Sequence, residues 1–176
     1  MILEEADRVT VQLNEFINYS KPREAQLAPV QIARLVADVA RTLRPDLEEK
    51  RITLTPFDSP LSIEADEQLL RQALFNVLLN ATQAVAAGGN IEVRLNAVGA
   101  RDAVLEIFDD GPGVPEGDRV SIFKPYVTMR PKGVGLGLAI VHQIASAHHW
   151  DVVCEENQPR GAVFRFSRLK IAAPAA

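Results

Sequence analysis

Apolar residues recur every three or four positions over four stretches of the chain, which is the spacing of amphipathic helices. The pattern predicts helices over residues 2–20, about 30–44, 66–87 and 136–149. Pro29 suits the first turn of the second helix, and Pro45 is expected to kink that helix or end its regular part. Asp66 is expected to cap the third helix, which the Gly88-Gly89 pair ends.

Apolar and polar residues alternate between the helices, which is typical of half-buried strands. Short strands are predicted at 52–54 and 61–63, a hairpin at 91–95 and 103–108, and a second hairpin-like pair at 150–154 and 162–166. The predicted fold class is therefore α+β, a two-layer α/β sandwich. A mixed, mostly antiparallel sheet would be covered on one face by about three helices.

The composition fits a cytoplasmic globular domain with perhaps one appended element, in a chain of 176 residues that are 47% hydrophobic. The net charge is −4 and no basic block dominates, so nucleic acid is not an expected partner. No apolar run approaches the roughly 20 residues needed to cross a bilayer, and the acidic N-terminus does not resemble a signal peptide. The single cysteine, Cys154, is predicted to be buried.

Two glycine clusters carry the candidate chemistry. The first, at 109–114, follows an apolar strand and places Asp109 at the strand end, where a carboxylate can accept a hydrogen bond from a base amino group. The second, at 133–138, runs into a predicted helix, whose free N–H groups suit a phosphate. Taken alone, each cluster could equally be a simple turn.

The helix predicted at 66–87 carries an unusual polar face. At 100° per residue, its amide side chains lie opposite the apolar stripe. They are Gln72, Asn76, Asn80 and Gln83. Asparagine is a poorer helix former than Glu, Lys or Arg, so Asn76 and Asn80, one turn apart, indicate a shared ligand rather than a solvated face.

The order of these motifs resembles a known family. Asn76-x-x-x-Asn80-Ala81, Asp109-x-Gly-x-Gly, Ile122-Phe-Lys-Pro-Tyr and Gly133-x-Gly-Leu-Gly-Leu are similar to the N, G1, F and G2 boxes of sensor histidine kinases. These kinases belong to the superfamily that includes gyrase and the heat-shock chaperone ATPases. The resemblance covers about residues 30–169, and the short lid is most similar to that of nitrogen-regulation-type kinases.

The resemblance implies a Mg-ATP site. Asp109 would read the adenine amino group, Asn80 would hold Mg²⁺ with support from Asn76, and lid residues would neutralise the phosphates. The implied ATP-binding residues are Asn76, Asn80, Gln83, Asp109, Gly111, Gly113, Val114, Phe123, Thr128, Arg130, Lys132, Gly133, Gly135, Leu136, Gly137 and Leu138. Val134 and Val163 stand where the family commonly has a hydroxyl residue, which predicts somewhat weaker nucleotide binding.

The implied function is transfer of the γ-phosphate of ATP to a histidine on a dimerisation domain, followed by relay to the receiver domain of a response regulator. Hydrolysing relatives carry Glu as a general base where this chain has Asn76, and an amide cannot take a proton. Fast hydrolysis is therefore not expected. A non-catalytic nucleotide-binding scaffold and a hydrolysing ATPase are the alternatives.

The resemblance also predicts a domain plan. Residues 1–22 would be a remnant of the second dimerisation helix, 23–29 a linker, 30–169 the ATP-binding domain and 170–176 a disordered tail. The apolar stripe in residues 2–20 needs a partner, so that helix would fold back on the domain or form a homodimer. None of the histidines has the acidic-flanked helical setting of a phosphoacceptor, which would lie outside this chain. They are His142, His148 and His149.

Overall fold

A computed structural model of the protein describes residues 24–55, 57–129 and 133–173. The helix predicted at 2–20 and its expected pairing lie outside these residues. The strands are β1 (Ala28–Gln31), β2 (Thr53–Leu54), β3 (Ser62–Ala65), β4 (Asn90–Val98), β5 (Asp102–Asp109), β6 (Asp151–Glu156) and β7 (Ala162–Lys170). The helices are α1 (Ile32–Glu49), α2 (Glu67–Ala84) and α3 (Gly137–Ala147), and two 3₁₀ turns lie at Glu116–Asp118 and Ser121–Phe123.

Five strands form the main sheet in the order β2-β4-β5-β7-β6, and only the β2–β4 pair is parallel. Every second residue is buried along β5 and along β4 as far as Leu95, and the register places Val93 opposite Ile107 and Leu95 opposite Leu105. These side chains pack beneath the helices on one face. The predicted α+β sandwich with three helices on a mixed, mostly antiparallel sheet is confirmed.

The opposite face of the sheet is polar. Arg165 pairs with Glu106 and Glu155, and Arg94 lies 4.3 Å above the ring of Phe108. An antiparallel sheet can solvate one face in this way while the other forms the core. No helix in the described part of the chain is long and apolar enough to cross a membrane.

A second, two-stranded sheet joins β1 to β3, with Val30 opposite Ile63. The prediction that Pro29 lies in the first turn of a helix is wrong, because Pro29 is in β1 and α1 begins at Ile32. Proline lacks an N–H, which is tolerated in β1 because this strand has a neighbour on only one side. Pro45 lies inside α1, which continues to Glu49.

The ends of α2 are fixed by side chains from elsewhere in the sequence as well as by its own cap. Asp66 accepts hydrogen bonds from the N–H groups of Gln68 and Leu69, as its predicted role as N-cap requires. At the other end, Lys50 Nζ donates to three main-chain oxygens. These are the carbonyls of Thr82, Gln83 and Val85, at 2.9, 3.1 and 3.2 Å. The helix that carries the candidate asparagines is thereby held at both termini.

His148 joins the end of α3 to the start of α2. Its Nε2 accepts a hydrogen bond from the Asp66 N–H at 2.9 Å, and its Nδ1 lies 2.8 Å from the carbonyl of Ile144. The ring stacks on Trp150 with the centroids 4.1 Å apart. Burial lowers the pKa of His148, so the neutral ring is favoured and Nε2 can act as the acceptor.

The C-terminal strand extends beyond the boundary expected at residue 169. Lys170 is the last residue of β7, Ile171 bridges Ile63, and the Ala172 N–H donates to the Ser62 carbonyl at 2.9 Å. The expected disordered tail therefore cannot begin at residue 170. Residues 174–176 lie outside the described part of the chain.

Candidate functional site

Asp109 ends β5 and lies at the floor of the candidate site, with only 3% of its surface exposed. Its Oδ1 accepts hydrogen bonds from the N–H groups of Gly111 at 2.9 Å and Ala162 at 3.3 Å. Burial raises the pKa of Asp109, whereas these two hydrogen bonds oppose the rise and the charge of Asp110 adds to it. The site thus contains one buried carboxyl group whose ionised form is held by main-chain donors.

The turn between β6 and β7 closes over Asp109, and we call residues 157–161 the β6–β7 turn. Asn157 Nδ2 donates to the Asp109 carbonyl at 2.9 Å. Gly161 has φ +110, and a Cβ there would lie 1.8 Å from that carbonyl oxygen. Sequence analysis did not single out either residue. The cluster Asn-Gln-Pro-Arg-Gly marks a turn, but it lies about 50 residues from the motif that it contacts.

Asn76 connects α2 to the second glycine cluster. Its Nδ2 donates to the Gly137 carbonyl at 3.1 Å, which leaves its amide oxygen as a possible ligand atom. Asn80 is half-buried one turn later on the same helix, and Gln83 is exposed in the last turn. Asn76 thus brings the helix that carries the candidate asparagines into direct contact with the second glycine cluster.

The second glycine cluster packs against the chain before it. Gly135 has φ +75, and a Cβ there would lie 2.7 Å from main-chain atoms of Tyr126 and Val127. The Tyr126 N–H donates to the Gly135 carbonyl at 2.9 Å. Gly133 is exposed, Leu138 is half-buried, and Leu136 is buried immediately before α3 begins at Gly137. The cluster thus reaches the N-terminus of α3 through a backbone path that only glycine fits at position 135.

The segment between the glycine clusters is anchored by aromatic packing. Phe123 is half-buried and contacts Phe164 edge-on at 6.2 Å, as well as the ring of His142 at 6.1 Å. Val114 is half-buried against the core, and its carbonyl accepts from Arg119 Nε at 2.9 Å. Thr128 is exposed. The two predicted lid cations, Arg130 and Lys132, lie outside the described residues.

The two departures from the family pattern differ in position. Val134 is half-buried within the second glycine cluster. Val163 pairs with Phe108, whose ring faces Arg94 on the polar side of the sheet, whereas the Asp109 carboxylate is on the helix side. Val163 therefore lies on the face opposite the Asp109 carboxylate, because alternate residues of a strand point to opposite faces. Weaker nucleotide binding from the missing hydroxyls stays a prediction.

The donor chemistry fits a hard cation held by amide and phosphate oxygens. Among the described residues, no three His, Cys, Asp or Glu side chains are grouped to hold a metal ion. Asn76 and Asn80 supply amide oxygens on one helix, and Mg²⁺ commonly needs few protein ligands when a substrate contributes phosphates. His148 is bonded to the start of α2, and burial raises the pKa of Cys154 to about 11, so this thiol is unreactive.

A family model described as "Histidine kinase-, DNA gyrase B-, and HSP90-like ATPase" matches residues 65–173, more than half of the chain. The chain belongs to this family. It also aligns with the histidine-protein kinase AtoS of Escherichia coli K12 at 31% identity, over 93% of this chain and 27% of AtoS. Sensor histidine kinase ZraS of the same strain is 31% identical, over 93% of this chain and 36% of ZraS.

Solved structures give the same result. Full-length ShkA in complex with AMPPNP has a TM-score of 0.83 and 30% identity, covering 97% of this chain and 38% of ShkA. The catalytic domain of histidine kinase ThkA has a TM-score of 0.73 and 25% identity, covering 82% of this chain and 96% of that domain. The chain is an ATP-binding catalytic domain of the histidine kinase type. It spans about a quarter to a third of the length of AtoS and ZraS.

Proposed function

We propose that this domain binds Mg-ATP and transfers the γ-phosphate to a histidine of a dimerisation domain, from which it passes to the receiver domain of a response regulator. The observation that carries the proposal is the buried Asp109 carboxyl group, which begins the first glycine cluster and accepts main-chain hydrogen bonds from Gly111 and Ala162. We place the reaction in the cytoplasm, where ATP is available. The complex of ShkA with AMPPNP supports nucleotide binding.

In this proposal, the ionised Asp109 accepts a hydrogen bond from the adenine amino group. The glycine backbones at 111 and 113 allow the base to approach, and the N-terminus of α3 faces the phosphates. Asn80, supported by Asn76, holds Mg²⁺, which neutralises phosphate charge when it is bound. The protein thus contributes position and charge, because a neutral imidazole is already a nucleophile.

Asn76 favours phosphotransfer over hydrolysis. Its amide N–H₂ donates to the Gly137 carbonyl, a bond that an ionised glutamate at this position could not make. Asn76 therefore links α2 to α3 through a hydrogen bond that a carboxylate general base at this position could not donate. Substantial steady-state release of phosphate by the domain would contradict this assignment.

A calorimetric titration with a non-hydrolysable ATP analogue, with and without Mg²⁺, tests the nucleotide site. We expect Mg²⁺-dependent binding, and Asp109→Asn should weaken it at least about tenfold, since a charged hydrogen-bond partner is lost. Equal binding by Asp109→Asn would remove Asp109 from the adenine site.

Transfer of labelled γ-phosphate to a separately supplied phosphoacceptor domain tests the reaction. Labelling of that domain would support the kinase assignment. Tight nucleotide binding with no transfer to any dimerisation domain of the matched relatives would favour a non-catalytic scaffold. The observation that supports this alternative is Val134, which stands where the family commonly has a hydroxyl residue.

A further inference from the structure

The β6–β7 turn and the first residue of β7 are bonded to the main chain and the carboxylate of Asp109. Asn157 donates to the Asp109 carbonyl, and the Ala162 N–H directly after the turn donates to Oδ1. We propose that Asn157 is a positioning residue, which fixes the Asp109 carboxylate and thereby sets the preference of the site for a purine with an amino group at position 6. This inference rests on the proposed function, in which Asp109 reads adenine.

The turn can act in this way because the same residue also fixes the turn's own shape. The Asn157 N–H donates to the Gly161 carbonyl at 3.0 Å while its side-chain amide reaches Asp109 at 2.9 Å. One residue therefore closes the turn and fastens it to the end of β5. Asn157 is half-buried and its amide is directed at main chain, so it acts through Asp109 rather than by touching a ligand.

Contact between the backbones leaves little room for adjustment. A Cβ on Gly161 would lie 1.8 Å from the Asp109 carbonyl oxygen, and a Cβ on Gly113 would lie 2.8 Å from the Gly161 carbonyl oxygen. The turn, the end of β5 and the first glycine cluster thus form one packed unit. A shift of the turn would move the carboxylate and the loop together, because close-packed groups transmit displacement.

The carboxylate is also held in one orientation. Both recorded main-chain donors, Gly111 N–H and Ala162 N–H, reach Oδ1, so Oδ2 is the oxygen left for a ligand. An exocyclic amine can donate to Oδ2, whereas a purine with a carbonyl at position 6 would place an acceptor against an acceptor. Discrimination of this kind depends on geometry, and it is lost when the acceptor group is displaced.

The test is the ratio of two dissociation constants, one for a non-hydrolysable ATP analogue and one for the matching inosine analogue. Calorimetry on the whole chain would compare the wild type with Asn157→Ala, Asn157→Asp and Arg160→Ala. We expect Asn157→Ala to weaken ATP-analogue binding about fivefold to tenfold, as loss of one supporting hydrogen bond allows. Binding of the inosine analogue should change by less than about twofold, so the selectivity ratio falls.

Asn157→Asp covers the case in which the alanine variant folds poorly, because it keeps the size of the side chain and replaces the amide donor with a charged carboxylate that can only accept. It should reduce the ratio as the alanine variant does. Arg160→Ala is the matched control, since Arg160 is exposed in the same turn, and its ratio should equal that of the wild type.

An equal loss of affinity for both analogues in the Asn157 variants would overturn the inference and leave Asn157 with a structural role only. Failure of the proposed function itself would give a different result. In that case the wild type would not bind the ATP analogue, or Asp109→Asn would bind it unchanged.

Discussion

At the scale of single residues, Asp109 combines a cost to stability with its proposed role in nucleotide binding. Burial is the largest influence on its carboxyl group and raises its pKa from the usual 3.8. The folded protein therefore holds the proton more tightly than the unfolded chain does. The resulting contribution to stability is complete below pH 3.8 and is lost as the pH rises through the raised value, so at neutral pH the ionised group disfavours folding.

Asp109→Asn should therefore stabilise the domain at pH 7.5, while weakening nucleotide binding. The asparagine keeps an oxygen acceptor for the two main-chain donors and carries no charge. We expect the melting temperature to rise by about 2–4 °C, and the difference from the wild type to shrink as the pH is lowered through the raised pKa. Thermal unfolding followed by circular dichroism measures this, with exposed Asp118→Asn as the control. A lower melting temperature for Asp109→Asn at pH 7.5 would contradict it.

Sequence could locate Asp109 but not the residues that hold it. A carboxylate at the end of an alternating strand, followed by two glycines, is a local pattern and can be read directly. Asn157 and Gly161 contact Asp109 from 48 and 52 positions away, and both do so at its main-chain carbonyl. Such contacts depend on which strands become neighbours, and neither residue type indicates that by itself.

At the scale of elements, a strand could be predicted when its alternation of apolar and polar residues was long. The β4–β5 hairpin was predictable because alternation runs along both strands and Gly99 lies in the turn. β1 was not, because only one of its four residues is buried and its partner β3 lies more than 30 residues along the chain. The proline at its second position favoured a helix start, and tertiary pairing overrode that local preference.

Lys50 provides a test at this scale, since it joins the end of α1 to the end of α2. Its ammonium group supplies charged hydrogen bonds to three carbonyls where α2 has no basic residue of its own in the last turn. Lys50→Met should lower the free energy of unfolding by about 1–3 kcal/mol, because it leaves those carbonyls without their donor. Chemical denaturation measures this change.

Lys170→Met is the matched control for Lys50→Met. Lys170 pairs with Asp102 at an exposed site, and such surface ion pairs contribute between about 0 and 1 kcal/mol. We therefore expect a change of less than about 0.5 kcal/mol from Lys170→Met. Equal effects of the two substitutions would show that the three-carbonyl contact adds nothing beyond a surface charge.

At the scale of the whole molecule, the site is assembled from parts distributed over most of the described chain. The first glycine cluster begins at the end of β5, where Asn157 of the β6–β7 turn is bonded to Asp109. The asparagines lie on α2, which reaches α3 through the bond from Asn76 to Gly137. The end of β7 in turn returns to β3 through Ile171. A ligand that contacts several of these parts therefore stabilises the fold as one unit.

This linkage predicts how nucleotide binding changes the melting temperature of the domain. A ligand that binds only the folded state stabilises it by RT ln(1 + [L]/Kd), or about 2.7 kcal/mol at 100 times Kd. We expect Mg²⁺ with the ATP analogue to raise the melting temperature of the wild type by about 5–11 °C under those conditions. The same ligand concentration should shift Asp109→Asn much less, although that variant melts higher without ligand. The melting temperatures of the wild type and Asp109→Asn should thus converge or reverse when nucleotide is added, which a general effect of Mg²⁺ or ionic strength cannot produce. Parallel shifts in both proteins would mean that the stabilising ligand contacts do not pass through Asp109.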